Sequence, residues 1–177
     1  EVMWVTGAAL FIRLADYREV GGLDDHFFAH MEEIDLCWRL RSRGKKLVCI
    51  PQSVVYHVGG ATLKKENPRK TFLNFRNNLL MLYKNLPDKE LEHVLFIRGI
   101  LDRVAALVFY LKKDRANARA VMQARREFED IRYSFAASRI ENMMKSTDEI
   151  IPERTHFSIV MKYYLLGKKH FSQLKLF

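Results

Sequence analysis

Apolar residues follow two rhythms along this chain, and the change from one to the other divides it. From Met3 to Arg13 the run MWVTGAALFIR is apolar and β-prone, which predicts a strand, or two strand pieces around Thr6-Gly7-Ala8. A short helical pattern over Leu14 to Val20 follows, and Gly21-Gly22 stops it. The stretch FFAHMEEIDLCWRLRSR, Phe27 to Arg43, then carries an amphipathic helix. Glu33, Leu36, Cys37 and Leu40 share one of its faces, so Glu33 is expected to point inward. Asp35 and Arg39, spaced i,i+4, are expected to pair on the outer face, with Glu32 on the same polar side. Gly44 is placed to end this helix. Lys46 to Pro51 and Val54 to His57 read as short strands, the second closed by Gly59-Gly60. Residues 61–70, ATLKKENPRK, form a polar basic loop. Thr71 to Lys84 is an amphipathic helix with Phe72, Phe75, Leu79, Leu82 and Tyr83 on one side.

Pro87-Asp88 marks the boundary between a part spanning 1–86 and a part spanning 87–177 whose pattern is all helix. Glu90 to Leu111 is the first of its helices, Ala116 to Lys145 a long second one, and His156 to Leu166 a short third ending at Gly167. A basic aromatic tail, KKHFSQLKLF, closes the chain. Within the first helix, VLFIRGILDRVAALVFYL is apolar enough to raise the question of a membrane span. Arg98, Asp102 and Arg103 cut it into pieces far shorter than the roughly 18–20 residues a span needs. Two readings stand: a helix packed on its neighbours, or an interfacial helix lying in a headgroup layer.

A chain of 177 residues, 49% hydrophobic, suits one domain with an appendage and is enough for a real core. The formal charge of +9 implies attraction to something anionic: a nucleotide, a phospholipid surface or nucleic acid. Two cysteines, Cys37 and Cys49, are too few for a disulfide framework, and both read as small core residues in a reducing cytoplasm. The first residues lack the basic n-region of a signal peptide and begin in mid-pattern, so the chain is expected to start inside a domain.

Glu32, Glu33 and Asp35 gather in the first turn of the Phe27 to Arg43 helix. Acidic residues there are ordinarily partners of the helix dipole. His26 and His30 stand four apart, a metal-binding spacing on a helix, but no helical pattern covers them. Asp24-Asp25 lacks the spacing of an Asp-x-Asp metal motif.

The runs VTGAALFIR, REVGGLDDHFF, MEEIDLCWRLRSRG and IPQSVVYHVGG occur in that order. Together they resemble the second half of a family 2 glycosyltransferase with the GT-A fold. The branch they resemble is the rhamnosyltransferase-like one that builds bacterial surface polysaccharides, and the resemblance covers residues 4–86. It implies an α/β architecture, the C-terminal part of a GT-A (Rossmann-like) sheet followed by an α-helical appendage. Residues 1–86 would be the acceptor-side half of the catalytic domain. The commoner form of the motif carries Glu-Asp where this chain has Glu32-Glu33, and the second of that pair is the catalytic base. The resemblance therefore assigns the base to Glu33, with Glu32 as the alternative and Asp35 in support. It implies that Gly7 and Ala8 floor the donor pocket, that Asp24 shapes the turn before the acceptor site, and that Arg76, of the Arg76-Asn77 pair, lies near the cleft. His57 would complete the coordination of a divalent cation, manganese or magnesium, whose Asp-x-Asp ligands lie in a nucleotide-binding half upstream.

On this reading the partners are a nucleotide-sugar donor and a glycan or lipid-linked acceptor. Transfer would invert the anomeric centre, on the cytoplasmic side of a membrane. Residues 1–177 alone are expected to be inactive, to bind no metal and to self-associate. Two other readings were weighed. A nucleic-acid-binding module fits the charge but lacks a helix-turn-helix, a zinc-ligand set or an RNA-binding aromatic motif. A helical module that docks on a membrane surface or a protein, without catalysis of its own, is compatible with the enzyme reading.

Overall fold

A computed structural model describes residues 1–58, 67–147, 151–155, 159–164 and 166–174, the side chain of Phe171 excepted. Its helices are α1 (Leu14–Glu19), α2 (Glu32–Ser42), α3 (Pro68–Asn85), α4 (Asp88–Leu111), α5 (Arg115–Ile131), α6 (Ala136–Lys145) and α7 (Ile159–Tyr164). Single 3₁₀ turns stand at Gly7–Ala9, Asp25–Phe27, Arg132–Phe135 and Phe171–Leu174.

Among the described residues there is no strand, which corrects the α/β expectation and its sheet. Met3 to Arg13 is interrupted by the Gly7–Ala9 turn, which the Thr6 hydroxyl caps by accepting from the Ala8 N–H at 3.4 Å. Lys46 to Pro51 ends in a turn, with the Ser53 N–H on the Ile50 carbonyl at 3.0 Å. One backbone hydrogen bond, Val2 N–H to Leu47 O at 2.9 Å, links the first run to the second. The physical reason is that strand propensity measures fit to a pleated, paired surface. Without a ladder, Phe11, Val48, Ile50, Val54, Val55 and Tyr56 stay exposed.

Helix ends follow the sequence closely where glycine sets them. Past α1, the Gly21 and Gly22 N–H groups bond back to Arg18 O and Tyr17 O, with both glycines at positive φ. Past α2, Gly44 N–H bonds to Arg41 O and Lys45 N–H to Leu40 O, a full Schellman closure around Gly44 at φ 75°. Helix α3 starts three residues before the expected Thr71, because Asn67 caps it at 2.9 Å and Pro68 occupies its first turn. The long helix expected over Ala116 to Lys145 is two helices, α5 and α6, broken by the Arg132–Phe135 turn. That break drives Phe135 into the core beside Phe128. The short third helix is described only over α7; residues 156–158 and 165 of that reading, like Gly59-Gly60 and 61–66 of the basic loop, lie outside the described residues.

Helix α3 is the axis of the fold. It packs on α5, α6, α2 and α4, and its Leu79, Leu80, Met81 and Tyr83 join Phe27, Trp38, Leu91, Leu95, Phe128, Phe135 and Ile151 in the main core. Val20, Leu36 and Leu40 form a smaller cluster under α1 and α2. Cys37 is buried, as expected, but Cys49 is exposed, because the segment that carries it has no sheet to join. Among the described residues no helix is long and apolar enough to cross a membrane.

Candidate active site

The site begins with a strained loop. Phe28, His30 and Met31 all hold positive φ, at 59°, 71° and 75°, immediately before α2. Side chains rarely adopt this region, and each such residue costs of order 1–3 kcal/mol unless its surroundings hold it there. The surroundings come from α3. The Asn77 side chain, fully buried, donates to Phe27 O, Ala29 O and His30 O at 2.8, 2.9 and 2.8 Å. Arg76 donates to His26 O at 2.8 Å and to the Asn77 side chain at 3.0 Å, and it pairs with Glu127 of α5 at 2.8 Å. Arg76 is thus placed behind the loop and gripped by protein, its guanidinium turned toward α5.

The loop delivers three unsatisfied polar atoms to one place. His30 Nε2, Glu32 Oε2 and Glu33 Oε2 are each shielded from solvent and without a hydrogen-bond partner among the described residues. Burial pushes the Glu32 carboxyl above the ordinary glutamate value; its own backbone N–H opposes this, the Glu33 charge adds to it, and His30 opposes it. Native folds rarely leave buried polar atoms unpaired, so the two carboxylates mark this turn as a candidate site. Gly7 backs onto the pair: a Cβ at that position would stand 3.6 Å from Glu33 Cβ. Its neighbour Ala8 lines a groove of about 660 Å³ with Trp4, Thr6, Val48, Cys49 and His57.

Asp35 belongs to a different system. It is wholly buried, so its pairing with Arg39 is an interior one and not the surface contact expected from the spacing. Asp35 accepts from Arg39 at 2.7 and 2.9 Å, from Lys84 at 2.9 Å and from Asn85 at 2.7 Å. Arg39 also reaches Val20 O and Gly22 O, so it holds the glycine turn after α1. Lys84 bridges on to Asp24 at 2.7 Å. For Asp24, burial alone would raise the carboxyl, but the Lys84 hydrogen bond and charge, with His26, bring it below the usual carboxylate value. Asp24 also accepts from the His26 N–H and ring Nδ1 at 3.1 and 2.8 Å, which shapes the turn leading into Phe27.

His57 is exposed on the wall of the same groove. Among the described residues no group of three or more His, Cys, Asp or Glu side chains gathers as metal ligands. The described residues by themselves do not fit a divalent cation. Sequence reasoning did not single out Asn77 or Lys84 for the site. A signal was present: Leu73, Asn77, Leu80 and Lys84 fall on one stripe of α3, so two polar residues interrupt an apolar face.

With this geometry in place, relatives define the class: the chain is homologous to glycosyltransferases. It is 31% identical over 141 residues to a pre-mycofactocin glycosyltransferase of Mycobacterium tuberculosis, taking in 73% of this chain and 29% of that protein. More particularly, rhamnosyltransferases are among the relatives. An N-acetylglucosaminyl-diphospho-decaprenol L-rhamnosyltransferase of Mycobacterium tuberculosis is 38% identical over 56 residues, 32% of this chain and 18% of that protein. Rhamnosyltransferase WbbL of Escherichia coli is 36% identical over 56 residues, 32% of this chain and 21% of that protein. The rhamnosyltransferase-like resemblance read from the motifs is borne out. The chain spans 29% or less of the length of these relatives. No family model matches the chain, and no solved structure does.

Proposed function

We propose that this chain is the part of a glycosyltransferase that receives the proton of the acceptor hydroxyl. The whole protein would move a sugar from a nucleotide-sugar donor to a glycan or lipid-linked acceptor in surface polysaccharide synthesis. The observation that carries this reading is the trio of buried, unpartnered atoms on His30, Glu32 and Glu33, held by a strained loop in a chain whose relatives are glycosyltransferases.

In the proposed step, Glu33 accepts the proton as the acceptor oxygen bonds to the anomeric carbon, and the bond from that carbon to the nucleoside diphosphate breaks with inversion. The unpaired Glu33 oxygen has a free lone pair for that proton, which a carboxylate locked in an ion pair lacks. Glu32 is the alternative base, since burial raises its proton affinity. His30, whose Nε2 is likewise unpartnered, would orient whichever carboxylate acts. Asp35, committed to Arg39, Lys84 and Asn85, supports the helix from beneath. A divalent cation would need ligands from beyond the described residues.

The test is made in the protein that carries this chain, by release of nucleoside diphosphate from a panel of nucleotide sugars. Glu33→Gln is expected to lower turnover about 10²–10⁴-fold at saturating donor while donor affinity stays nearly unchanged. A dead Glu32→Gln beside an active Glu33→Gln would move the base by one residue. Full activity in both would reduce the acidic turn to a dipole partner.

A further inference from the structure

Helix α4 is apolar on two opposite faces. Its inner face, with Leu91, Leu95 and Ala106, packs on the core and carries the buried Asp102. Asp102, 1% exposed, is clamped between Arg98 at 2.8 Å and Arg125 of α5 at 2.9 Å. Arg103 donates to Gly99 O one turn back at 2.9 Å. The outer face from Phe96 to Leu111 is largely apolar: Phe96, Ile97, Ile100, Val104, Leu107 and Leu111 are all exposed, with the exposed Arg103 at its margin. An apolar stripe this long is uncommon on a free surface.

A second feature runs alongside it. On α5, Arg115, Arg119 and Arg126 repeat at helical spacing on the side that faces α4, across a groove of about 720 Å³. Ala106, Leu107, Tyr110 and Met122 floor that groove, and no carboxylate is among its lining residues. Lys112 and Lys113 stand exposed where the two helices turn. The stripe alone would suit any apolar partner; the row of unneutralised arginines beside it selects an anionic one. A second copy of this chain, itself +9 in formal charge, is a poorer match for that row than an anionic surface.

We propose that the α4–α5 face is a docking surface for an anionic lipid bilayer, with the α4 stripe entering the headgroup layer and the α5 arginines on lipid phosphates. The geometry is that of an interfacial helix, apolar on one side with cations at its margin. It is independent of which carboxylate serves as base, and none of its residues touches the His30–Glu33 cluster.

Co-sedimentation of the protein with vesicles decides it. At low salt, binding to mixed phosphatidylglycerol–phosphatidylcholine vesicles is expected to exceed binding to pure phosphatidylcholine, and added salt should weaken it. Arg119→Gln and Arg126→Gln should each lower the partition coefficient about fivefold. Ile100→Glu with Leu107→Glu should abolish binding while the helical circular dichroism is kept. Equal binding to neutral and anionic vesicles, or arginine variants that bind like the parent, would overturn the proposal. So would a concentration-dependent dimer that Ile100→Glu dissolves, with no vesicle binding; that result assigns the face to a second copy.

Discussion

Glu32 is a carboxylate that the fold holds against its preference for water. Its folded pKa lies above the ordinary 4.5, chiefly through burial. For an acid with a raised folded pKa, the folded state binds more protons than the unfolded one between the two values. Stability therefore falls as pH rises from the unfolded pKa through the folded one. Glu32→Gln removes that fall. The variant is expected to melt higher than the parent at neutral pH and at the same temperature near pH 3, where Glu32 is protonated whether the chain is folded or not; thermal unfolding at the two values checks it. A gain in stability coupled to altered turnover is the mark of a residue kept for chemistry. The acidic turn itself was legible in the sequence, as was the inward direction of Glu33. His30 was weighed only as half of a metal pair, because a left-handed backbone at a histidine leaves no trace in the residue type.

Between elements, the α2–α3 contact shows why a spacing rule can be right in pairing and wrong in place. The i,i+4 relation of Asp35 and Arg39 is real, but Lys84 and Asn85 of α3 close over it. Asp35→Asn would leave Arg39 and Lys84 buried with half their counter-charge gone. Loss of one partner from a buried ion pair costs about 3–5 kcal/mol, which should show as a lower urea midpoint with an unchanged slope. Glycine-set helix ends could be read in advance because φ near +70° is written into the residue. The turn after α4 could not, since Lys113 holds φ 62° without being glycine. The three β-prone runs misled for a related reason: strand formation depends on a neighbour, and composition within the run cannot report whether one is there.

At the scale of the whole molecule, α3 links what would otherwise be separate parts. Through Asn77 and Arg76 it holds the loop before α2, through Lys84 and Asn85 the interior of α2, and through Arg76 and Glu127 the helix whose outer side carries the arginine row. The boundary read at Pro87-Asp88 accordingly falls at a corner between packed helices: Arg139 of α6 donates to Tyr83 O and Leu86 O and pairs with Asp88. The same compactness sorts the two thiols. Cys37 lies on the buried side of α2, where burial pushes its thiol above the usual range, while Cys49 stands in solvent on the groove wall. An alkylating reagent should therefore take up one equivalent per folded chain and two per unfolded chain, measurable by intact mass. A single accessible thiol beside Ala8 and His57 makes the native protein a self-marked molecule, on which a dye or spin label would sit at one known address.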